Sequence, residues 1–126
     1  MQKRSLCLIT SSDYRASSGP LFIKTGVLKL TDIHVMQVLI FIYKVKNNLM
    51  PLSSSQHLTL YVKTHDYNLR KIPVFQTLSF HTEIRKKYIA IAGPKLWNLL
   101  PVELVNSDSP SIFKIRLLEF LSRNYV

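Results

Sequence analysis

The sequence is poor in the residues that mark most catalytic, metal-binding or disulfide-stabilised proteins. Its one cysteine, Cys7, excludes an internal disulfide and a cysteine-rich zinc site. Its three glycines form neither a G-x-G-x-x-G nor a Walker pattern, which excludes a glycine-rich phosphate loop. The seven acidic residues include no D-D or D-x-D pair, and the closest histidines are eight residues apart. We therefore expect no catalytic residue, no cofactor and no bound metal.

Long hydrophobic runs are also missing. The longest apolar stretch, residues 35–45, is interrupted by Gln37 and Lys44, whereas a membrane-spanning helix needs about 20 residues. The apolar residues 6–9 are too few for the hydrophobic part of a secretory signal. We expect an intracellular protein, cytoplasmic or nuclear, that is neither secreted nor membrane-bound.

Positive charge is abundant. The chain has 17 Lys and Arg against 7 Asp and Glu, a formal net charge of +10, and a pI near 10.0. Basic residues are dense between positions 63 and 95, where they alternate with aromatic residues. Cations neutralise phosphates and rings stack on bases, so this mixture favours RNA or DNA as a partner. The predicted nucleic-acid-binding residues are Arg70, Lys71, Arg85, Lys86, Lys87 and Lys95, and the interleaved rings are Tyr61, Tyr67, Phe75, Phe80 and Tyr88. The alternative is a solvated basic face around core aromatics.

Helical patterns lie at both ends of the chain. We predict helices over residues 2–10, over a short segment ended by Gly26, and from Thr31 or Asp32 as N-cap to Lys46. Residues 53–55 are predicted to form a loop. Helical spacing resumes after Gly93 with Pro94 at the first helical position, and a turn over 102–104 follows. The last helix is predicted to open at Ser109-Pro110 and to bury Phe113, Leu117, Phe120 and Leu121.

The predicted helix 31–46 is apolar on almost every side. Only His34, Gln37 and Lys44 form a narrow polar stripe. Such a helix is either central in its own domain or covered by something else. The second possibility suggests a larger parent protein, or an interaction module that docks a partner through residues 31–46.

The middle of the chain changes to a period of two. Apolar and polar residues alternate over 58–62, 74–81 and 88–91, which predicts half-buried strands. We therefore predict a single α+β domain over residues 1–126, dominated by helices, with a short antiparallel β-sheet in the middle. Trp97 is predicted to be a core residue because Leu96 and Leu100 share its helical face, and Cys7 to be a small buried hydrophobe.

A series of short motifs runs through nearly the whole chain in a fixed order and spacing. The motifs are Gln2-Lys3-Arg4, Ile9-Thr10, Tyr14-Arg15, Pro20-Leu21-Phe22, Leu28-Lys29-Leu30-Thr31-Asp32-Ile33, Tyr43-Lys44-Val45, Pro51, His65-Asp66-Tyr67-Asn68-Leu69-Arg70, Gly93-Pro94-Lys95-Leu96-Trp97-Asn98, Leu100-Pro101 and Phe113-Lys114. Each motif is weak alone, but together they resemble the extreme C-terminal region of jockey-like and related non-LTR retrotransposon reverse transcriptases, and the segment around Trp97 is the most specific.

The resemblance implies a parent enzyme that copies RNA into DNA, an RNA-directed DNA polymerase. The aspartates that hold its catalytic metals belong to an adjacent-Asp motif that this chain lacks, so no catalytic residue carries over. The resemblance thus implies a truncated, non-catalytic remnant that binds RNA or DNA through its basic face. It also suggests a polymerase domain supplied in trans, or a second copy of the chain, as a protein partner.

Overall fold

A computed structural model describes residues 1–56, 58, 75–77, 79, 81–86 and 88–125. Over these residues the chain forms eight helices and no β-strand, and about 65% of them are helical. The helices are α1 (Gln2–Ile9), α2 (Ser18–Thr25), α3 (Leu30–Lys46), α4 (Leu52–Ser55), α5 (Glu83–Lys86), α6 (Ile89–Asn98), α7 (Val102–Val105) and α8 (Pro110–Arg123).

The predicted central sheet is wrong for the part of the chain that the structure describes. Ile89 and Ile91 begin α6 instead of forming a strand, and residues 75–77 are not part of one. Four alternating residues are too few to distinguish the two-residue period of a strand from the period of about 3.6 residues in a helix. The buried residues Ile91, Pro94 and Trp97 follow the helical spacing. Residues 58, 79 and 81 are not in strands either, and the other predicted strand positions, 59–62, 74, 78 and 80, lie outside the described residues. The described fold is helical, not α+β.

Helix α3 occupies the centre and packs against α6 and α8. Six of its side chains are buried, namely Met36, Val38, Leu39, Ile42, Tyr43 and Val45. His34 and Gln37 are exposed and Lys44 is half-buried, as the predicted polar stripe requires. An almost uniformly apolar helix of this length is therefore explained by packing within the chain itself.

An aromatic cluster fills the space between these three helices. Tyr43 of α3 stacks on Phe113 of α8 with ring centroids 4.5 Å apart. Trp97 of α6, which is 1% exposed, lies 5.7 Å from the Phe113 ring and 6.2 Å from the Phe75 ring. The hydroxyl of Tyr43 donates a buried hydrogen bond to the Ser107 carbonyl at 2.7 Å. The prediction that Trp97 is a core residue is confirmed.

Helix α6 approaches α3 at a glycine. A Cβ on Gly93 would collide with the Cδ1 atom of Ile42, which has no exposed surface. The following residue, Pro94, was predicted to open the helix, but α6 begins five residues earlier, at Ile89. A proline inside a helix removes one backbone hydrogen bond. Here it is tolerated because Ile91, Pro94 and Trp97 are buried on the packed side of the longer helix.

The predicted ends of several other helices agree with the structure. Gly26 ends α2 in the left-handed conformation, with φ of 65°. Ser109 caps α8 by accepting a hydrogen bond from the Ile112 amide at 3.3 Å, and Phe113, Leu117 and Leu121 are buried. Cys7 is buried, as predicted. Residues 53–55, however, belong to the single turn of α4 and not to a loop.

The start of α3 is capped by distant side chains and not by its own sequence. Lys29 is the N-cap, two residues before Thr31 and three before Asp32, the two predicted N-caps. The Gln2 side chain accepts from the Leu30 amide at 3.1 Å and donates to the Leu28 carbonyl at 2.9 Å. The Tyr125 hydroxyl accepts from the Lys29 amide at 2.8 Å. Thus residues from both ends of the chain satisfy the amides of the N-cap residue and of the first helical residue, which have no acceptor within the helix.

Tyr125 contacts Lys29 and Asp32 at the start of α3, and we call these three residues the Tyr125 corner. Its hydroxyl donates to the Asp32 carboxylate, and the Lys29 ammonium lies 4.6 Å from its ring centroid. Burial raises the pKa of Tyr125 above its ordinary value of 10.0, and the hydrogen bond to Asp32 raises it further. Its backbone carbonyl passes so close to Gly19 that a Cβ there would lie 2.5 Å from the oxygen.

The described helices are short relative to a lipid bilayer. None of them alone has the length and apolarity to cross one. Helices α2 and α3 reach that length and composition only as a pair bent by 53°.

Candidate nucleic-acid interface

Three of the six predicted nucleic-acid-binding residues lie within the described part of the chain. Arg85 and Lys86 are on α5, and Lys95 is on α6. Helices α5 and α6 are consecutive and pack against each other, so the structure places these three cations on adjoining elements. Arg70, Lys71 and Lys87 lie outside the described residues.

All three described cations are exposed. The Lys86 ammonium pairs with the Glu83 carboxylate, three residues earlier in the single turn of α5. Such an exposed pair contributes little to stability. Lys95 has no carboxylate of a described residue within ion-pair distance. The α5–α6 surface therefore offers an anionic partner at least the ammonium of Lys95.

The outer face of α6 adds an aromatic ring and an aliphatic side chain to these cations. Tyr88 is 61% exposed and immediately precedes the helix, and Leu99, 77% exposed, immediately follows it. Ala92, Lys95 and Leu99 are spaced by three and four residues, so they share one side of the helix, and Tyr88 is the N-cap, one turn before Ala92. We call these four residues the α6 stripe.

The aromatic rings that were predicted to stack on bases differ in exposure. Phe75 is 2% exposed and packs edge-on against Trp97, so the interpretation that it could stack on a base is wrong. Its backbone amide and carbonyl are both bonded to the Asn98 side chain, at 3.3 and 3.0 Å. Tyr88 is the predicted ring that the described structure leaves accessible. Tyr61, Tyr67 and Phe80 lie outside the described residues.

Outside the α5–α6 surface, an exposed ring near the start of the chain contacts a cation, which the sequence pattern did not predict. The Lys3 ammonium lies 5.7 Å from the centre of the Tyr14 ring, which is 70% exposed. The two residues are eleven positions apart and meet because the chain reverses after α1. No local spacing signals such a contact, so only the fold reveals it.

A cleft between α7 and α8 has mixed charge. Its volume is about 560 Å³, and it is lined by Arg116 and Arg123 together with Glu103 and Glu119. Because the two carboxylates offset the two guanidinium groups, this cleft offers a phosphate backbone no excess of positive charge. Among the described residues, no group of three or more His, Cys, Asp or Glu is arranged to hold a metal ion.

Comparison with protein-family models, with curated proteins and with solved structures finds no match to this chain. Its function is therefore inferred from the residues and the geometry described above.

Proposed function

We propose that this chain derives from the C-terminal, non-catalytic region of a retrotransposon RNA-directed DNA polymerase and binds RNA or DNA through its basic face. The observation that carries the proposal is the ordered series of motifs, from Gln2 to Lys114, together with a net charge of +10. An electrostatic contact needs no catalytic carboxylates, which agrees with a chain without an adjacent-Asp motif. Such a protein would act in the cytoplasm or nucleus.

The positions of the motif residues support this proposal. Gln2 of the first motif donates to the Leu28 carbonyl, and Tyr43 stacks on Phe113, which belongs to the last motif. Both contacts join residues more than 20 positions apart. Motifs that lie far apart in the sequence thus contribute to one set of contacts, as expected if they mark a shared fold.

A salt titration tests the binding. The full chain is titrated onto fluorescently labelled RNA and DNA, and affinity is followed by anisotropy at increasing salt. If about four cations meet phosphates, the slope of log affinity against log salt should be about −3 to −4. A flat slope, or no binding at low salt, would exclude an electrostatic nucleic-acid interface.

A charge-matched pair of variants tests the location. The first variant replaces the described cations of the interface with glutamine, at Arg85, Lys86 and Lys95. Its matched control removes the same charge from other exposed sites, at Arg15, Lys24 and Lys114. Each lost phosphate contact should make the slope of log affinity against log salt shallower by about 0.7 to 0.9. We therefore expect the slope of the first variant to be shallower by about two to three, and that of the control to change by less than about one. Equal losses would mean that binding follows net charge and not this face.

The competing proposal is a module that docks a polymerase domain, or a second copy, through α3. The structure leaves this proposal only a limited surface, because the most apolar side chains of α3 are buried by α6 and α8. The half-buried Ile33, Ile40 and Phe41 remain at its edges. Sedimentation at two protein concentrations separates the two cases, since docking of a second copy predicts concentration-dependent oligomers that respond little to salt.

A further inference from the structure

The α6 stripe places an accessible ring in line with an accessible ammonium. Tyr88 and Lys95 are seven positions apart, which corresponds to about 10.5 Å along a helix. The residue between them on this side, Ala92, is small and half-buried, so it leaves the surface between the ring and the ammonium open. Neither the Tyr88 hydroxyl nor the Lys95 ammonium makes a hydrogen bond or ion pair with a described residue.

The charges around the stripe favour an anionic ligand. Arg85 and Lys86 precede Tyr88 on α5, whose one carboxylate, Glu83, is paired with Lys86. Lys95 follows Tyr88 on α6. The ring of Tyr88 is therefore flanked by cations on both sides along the chain.

We propose that the α6 stripe binds single-stranded nucleic acid, with the Tyr88 ring stacked on an unpaired base and Lys95 bound to a neighbouring phosphate. This inference rests on the proposed function and names its ligand more narrowly. An exposed ring can stack only on a base whose face is open, and a duplex covers those faces with neighbouring base pairs. Leu99, at the far end of the stripe, extends the apolar surface over which the bases lie.

The contribution of base stacking to affinity can be measured separately from the contribution of charge. Replacing Tyr88 with alanine removes the ring without changing the charge, so affinity falls while the salt dependence stays. Replacing Lys95 with alanine removes one phosphate contact, which lowers the slope for a single strand by about 0.7. A purely electrostatic surface would show only the second effect.

The experiment compares labelled oligothymidine, oligouridine and a mixed-sequence DNA duplex by anisotropy. We expect the unmodified chain to prefer the single strands. Tyr88→Ala should weaken single-strand binding about ten-fold with an unchanged slope, and Tyr88→Phe should bind within about two-fold of the unmodified chain, because phenylalanine keeps the ring. Tyr14→Ala is the matched control, since Tyr14 is a similarly exposed tyrosine away from α6. Far-UV circular dichroism verifies that each variant is folded.

Three outcomes would overturn this inference while leaving the proposed function standing. These are equal affinity for duplex and single strand, an unchanged affinity in Tyr88→Ala, and an equal loss in Tyr14→Ala. Failure of the unmodified chain to bind any of the three nucleic acids would instead overturn the proposed function. The two failures are therefore distinguishable within one experiment.

Discussion

The two faces of α6 come from one ten-residue segment and lie in opposite environments. On the inner face, Gly93 lies against Ile42, and Trp97 packs against three aromatic rings. On the outer face, Lys95 and Leu99 extend into solvent. In the segment 93–98, on which the proposed retrotransposon origin relies most, Gly93, Pro94 and Trp97 are buried on the inner face. These three residues specify packing, so we expect a binding surface on the outer face.

The largest effect should come from removing the inner-face ring. Trp97→Ala leaves a cavity among Tyr43, Phe75 and Phe113, and we expect it to lower the free energy of unfolding by about 3 to 5 kcal/mol. The corresponding outer-face variant, Leu99→Ala, should change the free energy of unfolding by less than about 0.5 kcal/mol. Urea unfolding is followed by circular dichroism, because Trp97 is the one tryptophan and its fluorescence is absent from the variant. Similar losses in both variants would mean that the two faces are not distinct.

The next effect concerns the glycine of the inner face. Gly93→Ala places a methyl group against Ile42, and we expect a loss of about 1 to 3 kcal/mol from overpacking, although alanine favours the helix. Ile42→Val removes the Cδ1 atom that the new methyl group meets. The double variant should therefore be more stable than the sum of the two single losses predicts, by about 0.5 kcal/mol or more. Additive losses would show that α6 and α3 do not meet at Gly93.

The sequence predicted the inner face better than the outer. Trp97, Phe113 and Leu117 were identified as core residues because an aromatic or leucine at helical spacing carries its own signal. The fold class was harder to predict from the sequence. A four-residue alternation such as 88–91 fits one turn of helix as well as a strand, and only the burial of Ile91, Pro94 and Trp97 at helical spacing decides between them.

The candidate interface was predictable in composition but not in arrangement. Basic residues between 63 and 95 are evident from counting, yet counting cannot show that Phe75 is buried while Tyr88 is exposed. Hydrogen bonds between residues far apart in the sequence cannot be predicted from local sequence patterns either. The caps on α3 come from Gln2 and Tyr125, 28 and 96 positions from the groups they bind, so local N-cap rules selected Thr31 or Asp32 instead.

A smaller effect should come from the Tyr125 corner, which tests whether buried groups outside α6 also hold the fold. Tyr125→Phe removes the bond to Asp32 and leaves the Lys29 amide without its acceptor, so we expect a loss of about 1 to 2 kcal/mol near neutral pH. Tyr14→Phe, at an exposed site, is the matched control and should leave the unfolding free energy nearly unchanged. Equal losses in the two variants would contradict a structural role for the corner.

The same variant has a predicted pH dependence. Because the pKa of Tyr125 is raised in the folded chain, its contribution is fully present below the unfolded value of 10.0 and is lost as pH rises through the higher folded value. Other tyrosines and lysines titrate in the same range, so the relevant measurement is the difference in urea stability between the unmodified chain and Tyr125→Phe. That difference should shrink as the pH rises above the unfolded pKa. A constant difference would contradict a raised pKa.

The smallest effect on stability should come from the centre of the outer face. Lys95→Gln removes a charge that pairs with no described carboxylate, and we expect a change in unfolding free energy below about 0.5 kcal/mol. Nucleic-acid binding should respond more strongly, because the variant cannot neutralise one phosphate and its salt slope should be shallower by about 0.7 to 0.9. A stability loss above about 1 kcal/mol would place Lys95 among the residues that hold the fold. In that case the two faces of α6 would no longer divide packing from binding, because one residue would serve both.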